Sequence, residues 1–243
     1  MKAFPFAAVF ATLWLFGSGQ ASGATLFFDD FNSGASAAWG NQSGTWRADG
    51  GVYDATFPSN GPNTYSDVTT LPSLTNFVVD VDINFLNDGG VWLRSSRSAG
   101  GVINGVLLVT GGSTGTNNGL YWHTVQNGSF SGILNNQTAA GLQGTDHHLR
   151  IVVDGDTYSA YLDGSLTPFT TLTTSLFVSG HAGLYDFSPT SGASDPRGQT
   201  FDNFRISSVD VVPLPPGLAL FGSGLVGLVA VLRRRRVKAI AAT

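Results

Sequence analysis

The chain has 243 residues and no cysteine, which excludes disulfides, thiol nucleophiles and thiolate metal sites. Its formal charge is −4, but residues 25–211 hold sixteen Asp against six Arg, with no Glu and no Lys, a net of −10. A domain of that sign repels phosphate backbones and excludes nucleic acid as a partner, while 32 Gly and the absence of Glu from the chain favour strands and tight turns over helices.

Residues 1–24 carry Lys2, an apolar run at 3–16 and a small-residue stretch at 17–24, the layout of a secretory signal peptide cleaved after Gly23 or Ala24. The alternative is an uncleaved anchor, for which fourteen apolar residues are short. Strands are expected next at 26–31, 45–48 and 52–57, then at 77–85, where Val79, Val81, Ile83 and Phe85 alternate with Asp80, Asp82 and Asn84. Further strands are expected at 91–96, 105–110, 119–125, 148–154, 157–162, 171–178, 182–187 and 199–207. Asp49-Gly50-Gly51, Asp88-Gly89-Gly90, Asp154-Gly155-Asp156 and Asp163-Gly164 supply hairpin turns between them. About a dozen short strands with polar turns and no internal repeat predict one all-β domain over residues 25–209, a two-layer antiparallel sandwich.

The landmarks have an order of their own. Phe28-Asp29-Asp30-Phe31, Trp39, Gly44-Thr45-Trp46, Gly90-Val91-Trp92-Leu93-Arg94, His148 to Gly155, Tyr161-Leu162-Asp163-Gly164 and Phe201-Asp202-Asn203-Phe204 follow one another along the domain. That order resembles a concanavalin A-like jelly roll of the laminin-G and glucanase type. The resemblance implies paired terminal strands and a structural calcium ion, with Asp29, Asp30 and Asp202 as candidate ligands. No Asp-x-Asp-x-Asp-Gly calcium loop is present; the alternative is that Asp202 and Asn203 tie down a loop through backbone amides.

Glucanases of this resemblance use two glutamates, since retaining glycoside hydrolysis needs two carboxyl groups about 5 Å apart, and the chain has no Glu. Asp80 and Asp82 share a strand face but read as a solvated surface. Among His123, His147, His148 and His181 no serine triad is supported. His147 and His148 project to opposite strand faces and cannot share a metal. The expectation is therefore a domain that is not an enzyme. Sugar binding fits better, since flat aromatic faces beside hydrogen-bonding groups are offered by Trp92, Arg94, Tyr121, Trp122 and His123. Period two puts Trp92 and Arg94 on one face, opposite Val91 and Leu93. The alternative buries Trp92 under a loop or a neighbouring edge.

At the C-terminal end Val212-Pro213-Leu214-Pro215-Pro216 precedes an apolar run that is stopped by Arg233, Arg234, Arg235 and Arg236. Residues 214–232 as a helix span about 28 Å, close to the hydrocarbon core of a bilayer. The arginines fix its C-terminus on the cytoplasmic side. The tail over 210–243 resembles the VPLPA-type variant of the PEP-CTERM sorting signal, with Pro216 where that variant has Ala. The resemblance implies an exosortase-type membrane enzyme as partner, and a route from membrane anchorage to the cell surface or the extracellular polysaccharide matrix. A permanent single-span anchor is the alternative.

Overall fold

The computed structural model describes residues 23–56, 64–98, 100–111, 119–187 and 198–209. The expected leader up to Ser22, and the expected proline motif, transmembrane segment and arginine cluster, lie outside the described residues. Among the described residues no helix is long and apolar enough to cross a membrane.

The first eight strands are β1 (Thr25–Asp29), β2 (Trp39–Ser43), β3 (Trp46–Asp49), β4 (Val52–Ala55), β5 (Tyr65–Val68), β6 (Phe77–Asn84), β7 (Gly89–Arg97) and β8 (Ile103–Val109). The remainder are β9 (Gly119–Gln126), β10 (Ser129–Phe130), β11 (Leu134–Thr138), β12 (His147–Asp154), β13 (Thr157–Leu162), β14 (Thr170–Thr173), β15 (His181–Asp186) and β16 (Thr200–Ser208). They form two eight-stranded antiparallel sheets. The first runs β14-β13-β12-β6-β16-β4-β3 with β1 also on β16, and the second runs β10-β9-β8-β7-β15-β5-β2 with β11 also on β9. The expected all-β jelly-roll sandwich is present, and the terminal strands β1 and β16 pair as the resemblance implied.

Alternation in β6 builds the core. Val79, Val81 and Ile83 are fully buried, and the register of β12 sets Ile151 against Val79 and Leu149 against Val81. From the second sheet Val91, Leu93, Val106, Leu108, Leu120, Trp122, Ala182 and Leu184 close the same cluster. Each large aliphatic side chain buried this way contributes about 1.5–3 kcal/mol.

Several boundaries differ from the sequence expectation. The strand expected to reach residue 85 stops at Asn84, because Phe85 turns to a φ of 55° and its N–H donates to Asp146 Oδ1 at 2.9 Å. The first strand stops at Asp29, and Phe31, at φ 52°, stacks on Tyr53 with centroids 4.8 Å apart. β14 ends at Thr173, leaving Leu176 and Val178 exposed in a loop. Four strands were not foreseen: β2, β5, β10 and β11. Trp-Gly-Asn-Gln-Ser and Leu-Asn-Asn-Gln-Thr lie at sheet margins, where hydrogen bonding to one neighbour needs no apolar alternation.

Candidate functional site

β7 decides where the expected sugar-contact residues go. Its register on β8 slips between Leu93 and Ser96, and Arg94 sits in the left-handed region at φ 48°, a costly conformation for a side chain of this kind. The bulge turns Arg94 off the face that period two assigned to it. The buried guanidinium donates to Thr75 O from Nε at 3.0 Å and Nη2 at 2.6 Å, and to Phe177 O and Gly155 O at 2.7 Å each. Nη1 also reaches Tyr158 Oη at 3.1 Å. Arg94 therefore ties β7 to the first sheet. Trp122 likewise faces the core, where its indole N–H donates to Thr170 Oγ1 at 3.1 Å. The expectation that Trp92 and Arg94 share a face is corrected by these contacts.

The remaining three candidates, Trp92, Tyr121 and His123, lie on the outer face of the second sheet. Trp92 and Tyr121 belong to a separate apolar cluster with Tyr65, Ile103, Leu107, Val109, Val125 and Tyr185. Trp92 is fully buried, as the alternative reading of it allowed. Cross-strand pairing explains the grouping. Asp67, Gly183, Trp92, Leu107 and His123 are successive register partners across β5, β15, β7, β8 and β9. His123 lies 4.7 Å from the Phe130 ring and 5.3 Å from Tyr121, with Nδ1 2.9 Å from Ser131 O. Burial pushes the His123 imidazole below its ordinary value, toward the neutral ring.

This face also holds polar groups. Burial lifts the Asp67 carboxyl to about 7, against the effect of a hydrogen bond with Ser95. Burial lifts Asp88 to about 7 as well, and burial with the neighbouring Asp88 charge lifts Tyr121 to about 12. Among the described residues Tyr65 Oη, Asp67 Oδ1, Trp92 Nε1 and His181 Nδ1 are buried without a hydrogen-bond partner. Beside them opens a cleft of about 510 Å³ whose lining includes Ser73, Ser95, Ser96, Arg97, Ser179 and His181. Arg97 stands over the Tyr65 ring at 4.5 Å from its centroid. Sequence reasoning missed Tyr65, Asp67, Arg97 and His181. The segment Tyr-Ser-Asp-Val has no apolar alternation, though Ser66 and Val68 do face the core while Tyr65 faces out.

The candidate calcium ligands are engaged by backbone and side-chain N–H groups. Asp29 Oδ1 accepts from Phe31 N–H at 3.0 Å, and Oδ2 from Ser36 N–H and Trp39 Nε1–H at 2.8 Å each. Asp30 accepts from Asn32 N–H, and Asp202 from Asn203 N–H at 2.6 Å. These carboxylates tie loops through amides, and among the described residues no group of three or more Asp or His could hold a metal ion. Burial and the nearby charges of Asp82 and Asp30 hold the Asp202 carboxyl above its usual range.

On the outer face of the first sheet Asp80 and Asp82 are partnered. His148 Nδ1 lies 2.6 Å from Asp82 Oδ1 and Nε2 lies 3.4 Å from Asp80 Oδ1, with Arg150 also 3.4 Å from Asp80. Hydrogen bonds that the ring donates to Asp80 and Asp82 outweigh partial burial and raise His148 to about 9. His147 projects the other way, onto Asp163 Oδ2 at 2.8 Å.

No protein-family model matches the chain, and no curated protein matches it. Among solved structures it is similar to the carbohydrate binding module CBM66 from Bacillus subtilis, at 20% identity and TM-score 0.51, covering 70% of this chain and 96% of that one. A Bacillus licheniformis beta-glucanase aligns at 12% identity and TM-score 0.51, over 77% of this chain and 99% of the enzyme. The exoplasmic/lumenal domain of VIP36, in a Ca²⁺/Man3GlcNAc-bound form, aligns at 11% identity and TM-score 0.51, over 74% and 87%. Two packed antiparallel sheets with this strand order and these likenesses make the fold a concanavalin A-like jelly roll.

Proposed function

We propose that this is an exported surface or matrix protein whose β-sandwich is a non-catalytic, carbohydrate-associated module. The carrying observation is that the outer face of the second sheet joins an aromatic layer, with Tyr65, Trp92 and Tyr121, to an open cleft lined by serines, Arg97 and His181. An open cleft with clustered hydroxyl and cationic hydrogen-bonding groups suits sugar hydroxyls. Carbohydrate is also what CBM66 binds by its name, and the fold is held in common with it.

Two observations support the absence of catalysis. Asp80 and Asp82 are engaged by His148 and Arg150. Asp67 and Asp88, the two carboxyls that burial lifts to about 7, sit beside Gly183 and Phe187, four residues apart along β15 and its end. That is roughly 13 Å of strand, beyond the separations at which paired carboxyl groups hydrolyse glycosides. The full burial of Trp92 favours a second reading, a structural surface protein without a small ligand. Affinity electrophoresis of the purified full chain separates the two. Retardation in gels containing laminarin, dextran, xylan, alginate or chitosan supports the module, and unchanged mobility in all five leaves the structural reading.

Export and sorting belong to the same proposal. The leader directs secretion, and the tail holds the chain in the membrane until an exosortase-type enzyme cuts near Pro213 and Pro215. Replacing both prolines by Ala keeps the apolar length but removes the extended backbone. Fractionation is expected to find that variant in the membrane at full length and the unaltered protein released or matrix-bound. Equal release of both would replace the sorting signal with a simple anchor.

A further inference from the structure

Charge sets the serine cleft apart from its neighbours. A cleft of about 520 Å³ beside Phe169 has Asp163 in its lining, and one of about 260 Å³ beside Asn84 has Asp82, Asp146 and Asp202. The serine cleft, of about 510 Å³, has Arg97 and His181 and, among the described residues, no carboxylate, in a chain that holds sixteen Asp. Asp67, the carboxyl that Ser95 bonds, does not line it, and burial holds that group toward its uncharged form. The cleft is also preformed. Ser73 and Ser179 stand on two loops that meet at Leu74 and Gly180, where each backbone N–H donates to the other's carbonyl, at 2.7 and 3.1 Å. Buried Arg94 ties the same loops through Thr75 O and Phe177 O. Ser95 Oγ donates to His181 O at 3.1 Å, which joins β7 to β15 at the cleft wall. Arg97 Nη2 donates to Gly101 O at 3.3 Å, and its guanidinium rests over the Tyr65 ring, which orients the plane.

The lining selects a ligand class. A guanidinium donates through a planar fork that matches the two oxygens of a carboxylate or the edge of a sulfate. Ser73, Ser96 and Ser179 are exposed, and their hydroxyls donate or accept. Among the described residues no Trp, Tyr or Phe lines the cleft, so ring stacking does not decide what binds there. A sugar hydroxyl is served by the serines whether or not the sugar is charged, but only an anionic substituent draws on the charge of Arg97, and an ammonium meets that charge with no carboxylate to offset it. Salt screens charges over about 8 Å, so for a short chain the lining outweighs the net charge of the domain. On the reading of this cleft as carbohydrate-associated, we infer that it takes the anionic substituent of an acidic glycan, a uronate carboxylate or a sulfate ester, with Arg97 as the charge partner and Ser73, Ser96, Ser179 and His181 as flanking hydrogen-bonding groups.

The test is calorimetry on the purified full chain with two matched ligand pairs, short alginate oligomers against the same oligomers with their carboxylates reduced to alcohols, and dextran sulfate against dextran, with chitosan as a polyamine. Each pair keeps the sugar hydroxyls and changes only the charge. Expected is binding of at least one charged member about ten-fold or more tighter than its neutral counterpart; which pair shows it names the uronate or the sulfate. Arg97→Gln should erase that margin and leave the neutral member unchanged, and the double variant Ser73→Ala, Ser179→Ala, on exposed loop positions, should weaken the charged member about three-fold or more at an unaltered melting temperature. Equal affinity within both pairs, or preference for chitosan, overturns the inference and leaves the carbohydrate reading standing. A charged-member preference that survives both folded variants places the anion elsewhere and overturns it as well. Should Arg97→Gln not fold, the matched pairs and the serine variant decide alone. No binding of any of these sugars, nor of laminarin or xylan, overturns both readings.

Discussion

The two outer faces of the sandwich are built from the same strand geometry and reach opposite results. On the first sheet β6 and β12 alternate apolar-in and polar-out, and the outward side chains, Asp80, Asp82, His148 and Arg150, pair in a partly solvated ladder. On the second sheet β7 and β8 are buried on both faces: Leu93 and Leu108 reach the core, while Trp92 and Leu107 join the outer cluster. Strand period assigns a side chain to one face or the other, but whether that face is wet is set by what packs on it. A near-continuous apolar run such as Val-Leu-Leu-Val in β8 signals this doubly buried state.

The sharpest way to break the comparison is truncation. Trp92→Ala on the second sheet should cost about 3–5 kcal/mol by denaturant unfolding, since it empties a filled layer. Arg150→Ala on the first should stay within about 0.5 kcal/mol, because its ion pair is largely solvated. Equal losses at the two positions would show the faces to be energetically alike.

Titration sharpens the contrast at a smaller scale. Asp67 and Asp88 have carboxyls raised from 3.8 to about 7 by burial. A raised folded value means that the native state holds the proton more tightly than the unfolded chain. Their share of stability is complete below the unfolded value of about 3.9 and is lost as pH rises through about 7. Melting temperature should therefore fall between pH 4 and 7, and Asp67→Asn should flatten its part of that fall and raise the melting temperature at pH 8. A profile that Asp67→Asn leaves unchanged would remove Asp67 as its source.

On the first sheet the linkage has the same sign in a different window. His148 is raised to about 9, so its pairing with Asp80 and Asp82 stabilises fully below the unfolded value of 6.5 and is lost as pH rises through about 9. His148 is about half exposed, and solvent screening keeps the effect below about 1 kcal/mol. Melting curves of His148→Gln should lack this step, and an NMR titration of His148 near 6.5 would dissolve the ladder.

Legibility in the sequence followed the same division. The first-sheet strands β6, β12 and β13 were readable to within a residue or two, because one face is core and the other water, and alternation records exactly that difference in environment. The candidate site was readable only in part. Trp92, Tyr121 and His123 were found by residue type and do share an outer face, but Arg94 and Trp122 were grouped with them and face the core side. Tyr65 and Asp67 carried no local signal, since a four-residue strand with mixed polarity looks like a loop.

Composition and pattern alone determined the fold class, the net charge, the exclusion of sulfur chemistry and the residue types from which a site is built, because each depends on local chemistry or on sums over the chain. Tertiary structure decided which of those residues meet. A single bulge at Arg94 reverses a side chain that period two had placed beside Trp92, and the conformation is held by three carbonyls from segments 19 to 83 residues away. The juxtaposition of Asp67, Gly183 and Trp92 likewise exists only through the pairing of β5, β15 and β7. Register between strands distant in sequence is set by packing of the whole sandwich, which no local window contains.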